Sequence, residues 1–160
     1  MGVGKTTACR QLQQLLDRSV FLDGDWCWDA HPFQVTEETR EMVLENIAFL
    51  LNSFLRCSAY DHVIFCWVLH RREIWADLLR RLTEPYALRA VSLVCTPEAL
   101  RARLEGDIRA GVRQPDAVDR SLAYLPLYDA LDVRRLDVTD LTPRAAAERI
   151  LADTEKERKP

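Results

Sequence analysis

Met1-Gly2-Val3-Gly4-Lys5-Thr6-Thr7 opens the chain and decides how the rest is read. Gly4-Lys5-Thr6 is the closing part of the phosphate-binding pattern G-x-x-x-x-G-K-[ST]. In such a loop Gly2, Val3, Gly4, Lys5, Thr6 and Thr7 wrap a polyphosphate with backbone N–H groups. The Lys5 ammonium reaches the outer phosphates and the Thr6 hydroxyl ligates Mg²⁺. Counting back, the first glycine of the pattern falls two residues before Met1, and the strand that feeds such a loop falls earlier still. Either the chain begins at a misplaced methionine, which is the preferred reading, or it is a fragment with an incomplete sheet.

The lysine count sharpens the motif. Of 22 basic residues only Lys5, Lys156 and Lys159 are lysine. A chain that writes arginine almost everywhere places the compact ammonium where a phosphate nest needs one.

Beyond the loop, apolar runs of strand length alternate with amphipathic stretches of helix length. The periodicity predicts a helix over 5–17, a strand over Ser19–Asp23 and a long helix over 36–56. That helix carries an inward stripe of Val43, Ile47, Leu50, Leu51 and Phe54. A buried strand is expected over His62–Leu69 and another over 90–95, with helices over 73–82 and from Thr96-Pro97. A helix ending near Leu131, a strand over 134–138 and a final helix from Thr142-Pro143 complete the pattern. Such alternation predicts an α/β fold with a parallel sheet.

At 160 residues with 48% hydrophobic and 29% charged content, the expectation is one domain over 1–154 and a charged, fraying tail over 155–160. The formal charge of −3 argues against a partner that is a nucleic acid polymer. No apolar run approaches a membrane span, so a cytoplasmic protein without a membrane partner is expected. The five cysteines are odd in number and form no C-x-x-C pair; they read as core thiols in a reducing compartment.

Leu22-Asp23-Gly24-Asp25 closes the strand that follows the loop helix. Strand C-termini of such sheets face the ligand crevice. Strand alternation places Asp23 and Asp25 on one side, with Gly24 giving the tight exit. One carboxylate, taken as Asp23, can hold Mg²⁺ through water, and the other can take the proton of an attacking hydroxyl.

G-x-G-K-T-T, the D-G-D strand end, an arginine-bearing segment over 107–119 and Pro126-Leu127-Tyr128 together resemble the small-molecule and nucleotide kinases of the P-loop group. Shikimate kinase, gluconate kinase, adenylylsulfate kinase and chloramphenicol phosphotransferase belong to it. The resemblance covers nearly the whole chain. It implies a P-loop NTPase three-layer sandwich, a parallel sheet flanked by helices, here lacking the first central strand. It also implies ATP and Mg²⁺ as cofactors, with the γ-phosphate passing to a hydroxyl or phosphate of a small molecule or nucleotide. The segment over 107–119 would then be a lid, its Arg109 and Arg113 stabilising the transferring phosphoryl group, with Arg120 on the next helix reaching the same site. The segment Thr139–Thr142 lies where related kinases contact adenine through backbone groups.

Departures from the group are equally informative. The strand over 62–69 lacks a terminal aspartate. Tyr124 stands where shikimate kinase has its carboxylate-binding arginine, which excludes shikimate as the expected acceptor. Trp26 could stack a planar ring beside Asp25, although packing of Trp26 and Trp28 is preferred. His70, at a strand end, is a candidate acceptor contact, whereas Arg101 and Arg103 are expected to face solvent. The sequence leaves two competing functions open: a non-catalytic nucleotide-binding protein and an NTPase switch. Acceptor identity, ATP or GTP preference and oligomeric state are not written in it.

Overall fold

The computed structural model describes residues 2–156, with backbone only at 129, 130, 155 and 156. The chain runs α1 (Lys5–Leu15), β1 (Ser19–Asp23), a 3-10 helix (Gly24–Trp28), α2 (Glu37–Arg56), β2 (His62–Cys66), α3 (Arg72–Arg80), β3 (Val91–Val94), α4 (Pro97–Arg109), α5 (Ala117–Tyr124), a second 3-10 helix (Leu125–Ala130), β4 (Arg134–Asp137) and α6 (Pro143–Lys156). It is an α/β fold of parallel strands flanked by helices. The final helix continues to Lys156, so the expected tail is helical at 155 and 156, and 157–160 lie outside the described residues.

Two compact units make up the chain. The first comprises residues 1–12 and 89–160. Its strands β3 and β4 pair in parallel, Val91 opposite Arg134 through Val94 opposite Asp137. Its core gathers Ala8, Cys95, Leu100, Leu104, Val118, Leu136, Val138 and Ala146. Thr96 caps α4 by accepting from the Ala99 N–H, with Pro97 in the first turn, as that dipeptide predicts.

The second unit spans 13–88. Strands β1 and β2 pair in parallel from Ser19 opposite His62 to Asp23 opposite Cys66. The ordering force is the apolar face of α2: Val43, Leu44, Ile47, Ala48 and Leu51 are buried with Leu22 and Leu78. Leu50 and Phe54 of the expected stripe are partly buried against the same cluster. Thr36 and Thr39 cap α2 reciprocally, each side chain accepting from the other's backbone N–H. Glu37 and Glu38 sit in its first turn, where the helix dipole favours them.

One difference from the sequence expectation has a local cause. Strand β2 ends at Cys66 rather than Leu69, because its partner β1 ends opposite it at Asp23. Beyond that point β1 has already turned into the 3-10 helix, so Trp67 and Val68 have no ladder partner there. Among the described residues the strands form two two-stranded parallel sheets, β1 with β2 and β3 with β4. Among the described residues, no helix is long and apolar enough to cross a membrane.

Candidate functional site

In the first unit, α1 starts directly from the loop of Gly2, Val3 and Gly4. Gly2 and Gly4 both lie at positive φ, +76° and +98°, a conformation L side chains rarely adopt. Gly2 is required on a second ground: a β-carbon there would stand 2.5 Å from Leu104 Cδ2. Gly4 is open, with nothing within 4 Å of the corresponding point. The Ala8 N–H donates to the Gly4 carbonyl at 2.9 Å and closes the first turn of α1. The backbone N–H groups of the first turn precede that bond. Lys5 is half-buried and has no ion-pair partner among the described residues. A half-buried ammonium at a helix start, where the helix dipole is positive, is an anion site in physical terms.

The arginine-bearing segment is part helix. Asp107 to Arg109 end α4, 110–116 form a loop, and 117–119 begin α5. Arg109 is exposed and has no ion-pair partner among the described residues. Arg113 is engaged, its Nε donating to Asp107 Oδ2 at 2.8 Å, and Arg120 pairs with Asp116 at 3.2 Å. Pro126-Leu127-Tyr128 forms the 3-10 helix that follows α5, and burial raises the Tyr128 phenol above its ordinary pKa.

Arg103 does not face solvent. Its Nη2 donates to the carbonyls of Val138 and Thr139 at 2.7 and 2.9 Å, and its Nη1 to the Val3 carbonyl at 3.3 Å. The turn it grips is itself ordered. Thr139 N–H donates to Asp137 Oδ1 at 2.8 Å, the Thr139 hydroxyl and then this N–H hold the Asp137 carboxyl below its usual value, and Thr96 N–H donates to Thr139 Oγ1 at 3.1 Å.

In the second unit, Asp23 is buried at the end of β1 and Asp25 is exposed. They do not share a strand face. Asp23 Oδ1 accepts the Asp25 N–H at 3.1 Å and starts the 3-10 helix, so strand alternation stops at Asp23. The Cys27 thiol is pushed up by burial and then by the Asp23 charge. Gly24 has an ordinary φ; its role is to let Trp67 approach.

The two tryptophans differ in exposure. Trp28 packs against the unit's core and stacks on Phe33 with centroids 4.9 Å apart. Trp26 is 51% exposed, its ring meeting Phe21 edge-on at 5.2 Å, contrary to the packing expected for it. His70 is half-buried, with Nδ1 3.4 Å from the Val68 carbonyl, and burial followed by the Arg71 charge lowers its pKa. None of the five cysteines is in a disulfide among the described residues; Cys66 and Cys95 are buried, Cys9 and Cys27 half-buried, and Cys57 exposed, unlike the core thiol expected.

The site candidates therefore fall into two sets. Gly2 to Thr7, Arg109, Arg113 and Arg120 belong to the first unit; Asp23, Asp25, Trp26 and His70 belong to the second.

A family model described as an AAA domain matches residues 1–120. The chain belongs to this family. It is P-loop kinase-like, and its fold is shared by solved small-molecule kinases. A gluconokinase from Sinorhizobium meliloti 1021 superposes with a TM-score of 0.64 at 19% identity, covering 100% of this chain and 93% of that one. A sugar kinase from Janibacter sp. HTCC2649 gives 0.67 at 21%, covering 96% and 89%. The tunicamycin resistance protein of Deinococcus radiodurans gives 0.62 at 17%, covering 92% and 89%. No curated protein sequence matches the chain.

Proposed function

We propose that this chain is an ATP-dependent phosphotransferase that moves the γ-phosphate of Mg·ATP to a hydroxyl or phosphate of a small molecule or nucleotide. The observation that carries the reading is the loop before α1: two glycines at positive φ, a helix that starts directly from them, and Lys5 without an acidic partner among the described residues. These residues fit a triphosphate. Mg²⁺ takes few protein ligands when phosphates supply the others, so the Thr6 hydroxyl with the phosphates would hold it. When bound, the metal neutralises charge on the transferring group.

The chain's residues take these roles. Gly2 to Thr7 bind the phosphates and Lys5 draws charge from the phosphoryl being transferred. Asp25, exposed in the 3-10 helix that follows β1, orients the acceptor hydroxyl and takes its proton. Trp26 offers a ring face to the acceptor beside it, and His70 supplies a further polar contact. Arg109 and Arg113 close on the phosphates, which requires Arg113 to exchange Asp107 for them. The names of the gluconokinase and the sugar kinase suggest polyhydroxylated acceptors as the first compounds to try.

The competing reading is a nucleotide-binding protein without transfer. Strand β2 favours it, because Cys66, Trp67 and Val68 stand at its end without an acid. Calorimetric titration with Mg·ATP followed by an acceptor screen separates the two. ATP consumption stimulated by a sugar, sugar acid or nucleoside and abolished in Lys5→Ala supports transfer. Binding of Mg·ATP with no stimulation by any acceptor supports the second reading, and no binding by the wild-type chain overturns both.

A further inference from the structure

The Val3–Gly4 peptide is planar, so the Val3 carbonyl and the Gly4 N–H point in opposite directions. Whatever holds the carbonyl on one side aims the N–H on the other. Gly4 supplies no restraint of its own, having φ of +98° and nothing within 4 Å of where a β-carbon would be. Gly4 itself does not bar a flip of this peptide, which would turn the Gly4 N–H away from the nest.

Arg103 is the group that holds the Val3 carbonyl, at 3.3 Å, while the same guanidinium holds Val138 and Thr139 at 2.7 and 2.9 Å. Its fixed end is firm. Val138 is buried, its N–H donates to Val94 at 2.8 Å, and Thr139 is held by Asp137 and Thr96. Three carbonyls around one planar fork suit arginine, whose donors have a rigid arrangement that lysine cannot reproduce.

We propose that Arg103 is a positioning residue for the phosphate nest. It pins the Val3 carbonyl to the turn after β4, so that the Gly4 N–H is presented to a phosphate before the nucleotide arrives. The inference rests on the reading of Gly2 to Thr7 as a Mg·ATP nest. It adds a residue that touches neither phosphate nor acceptor.

The test uses the full chain labelled with ¹⁵N-glycine, which has only five glycine positions to resolve, together with calorimetry on Mg·ATP and on magnesium with inorganic tripolyphosphate. In Arg103→Met the Gly4 amide resonance should shift and broaden while that of Gly24 stays in place. Affinity for both ligands should fall by about tenfold or more, the scale of losing charged hydrogen bonds. Arg103→Lys should fall between Arg103→Met and wild type in both readouts, and it carries the test if Arg103→Met does not fold. Arg101→Met, on the exposed side of α4, should match wild type.

An unmoved Gly4 amide with wild-type affinity in folded variants overturns the proposal. So does a loss confined to Mg·ATP with tripolyphosphate binding unchanged, which would place the effect at the base rather than the nest. A wild-type chain that binds neither ligand would instead sink the nucleotide reading, while the Gly4 resonance would still report whether Arg103 sets the loop.

Discussion

The indole of Trp67 lies directly over Gly24: a β-carbon at Gly24 would stand 2.4 Å from Trp67 Cγ and 2.8 Å from its Cβ. Atoms do not approach so closely, and the Trp67 Cβ cannot swing away as a side-chain tip can. Gly24→Ala must therefore displace backbone at the junction of β1 and the 3-10 helix, between Asp23 and Asp25. The expected cost is about 1–3 kcal/mol, the range of overpacking in a filled core. Denaturant unfolding of Gly24→Ala, Trp67→Ala and the double variant checks it. The double should be more stable than the sum of the singles predicts, by over ~0.5 kcal/mol, and simple additivity would show that the two residues do not compete for space.

Arg81 joins α2 to α3 through acids on both. Its guanidinium is bidentate on Glu41 at 2.7 and 2.8 Å and also holds Asp77 at 3.0 Å. Hydrogen bonds from Arg81 hold the carboxyls of Glu41 and Asp77 below their ordinary values of 4.5 and 3.8. As pH falls the unfolded chain takes up these protons first, so the stability they contribute is complete above about pH 5 and drains away as pH drops through the depressed values. Urea midpoints measured from pH 6 to pH 3 should fall more steeply for wild type than for Arg81→Met. The gap should narrow in high salt, because the groups are largely solvated. Parallel curves would mean the cluster contributes nothing to folding.

Several of these features were legible in the sequence, and the rest failed for identifiable reasons. Thr36 and Thr96 announce their helices because capping chemistry is local, and Val43, Ile47 and Leu51 announce a buried face because period is local. Gly4-Lys5-Thr6 is legible because few other sequences place a glycine, a lysine and a hydroxyl in that order at a helix start. The length of β2 was not legible, since a strand ends where its partner ends and the partner lies some 40 positions earlier in the register Asp23 opposite Cys66. The side taken by Asp25 was lost for a similar reason: one side-chain bond from Asp23 converts strand into 3-10 helix. Arg103 was beyond periodicity altogether. With Leu100 and Leu104 defining the buried face of α4, Arg101 and Arg103 fall at about 80° on either side of its midline. Only the positions of the Val3, Val138 and Thr139 carbonyls choose between them.

His70 gives a second pH dependence in a different window. Burial, with the Arg71 charge beside it, lowers its pKa from the ordinary 6.5, so the folded chain keeps this ring neutral where the unfolded chain protonates it. Stability tied to His70 is therefore intact above pH 6.5 and declines as pH falls from there toward the lowered folded value. Replacing it with glutamine should flatten the stability profile between about pH 6.5 and pH 5 and leave it unchanged at pH 8. An NMR titration of the ring protons gives the same answer directly. A midpoint at or above 6.5 would contradict the lowered value.

Ser121 presents the opposite case to the capping residues, a hydroxyl that costs stability. It sits on α5 at 2% exposure, and among the described residues its Oγ has no hydrogen-bond partner. A buried hydroxyl without a partner loses its water bonds on folding and regains nothing, a penalty of about 1–3 kcal/mol. Alanine removes that penalty, suits the helix better and gives up only the packing of one oxygen atom. Ser121→Ala should therefore raise stability by about 1 kcal/mol and Tm by roughly 2–4 °C, the scale for a chain of this length. Thr36→Ala, which deletes a hydroxyl that caps α2, should lower stability by about 1 kcal/mol, so one change of chemistry carries opposite signs at two positions. Thermal melts of the two variants decide the matter, and a loss of stability in Ser121→Ala would mean that its hydroxyl is bonded in solution after all.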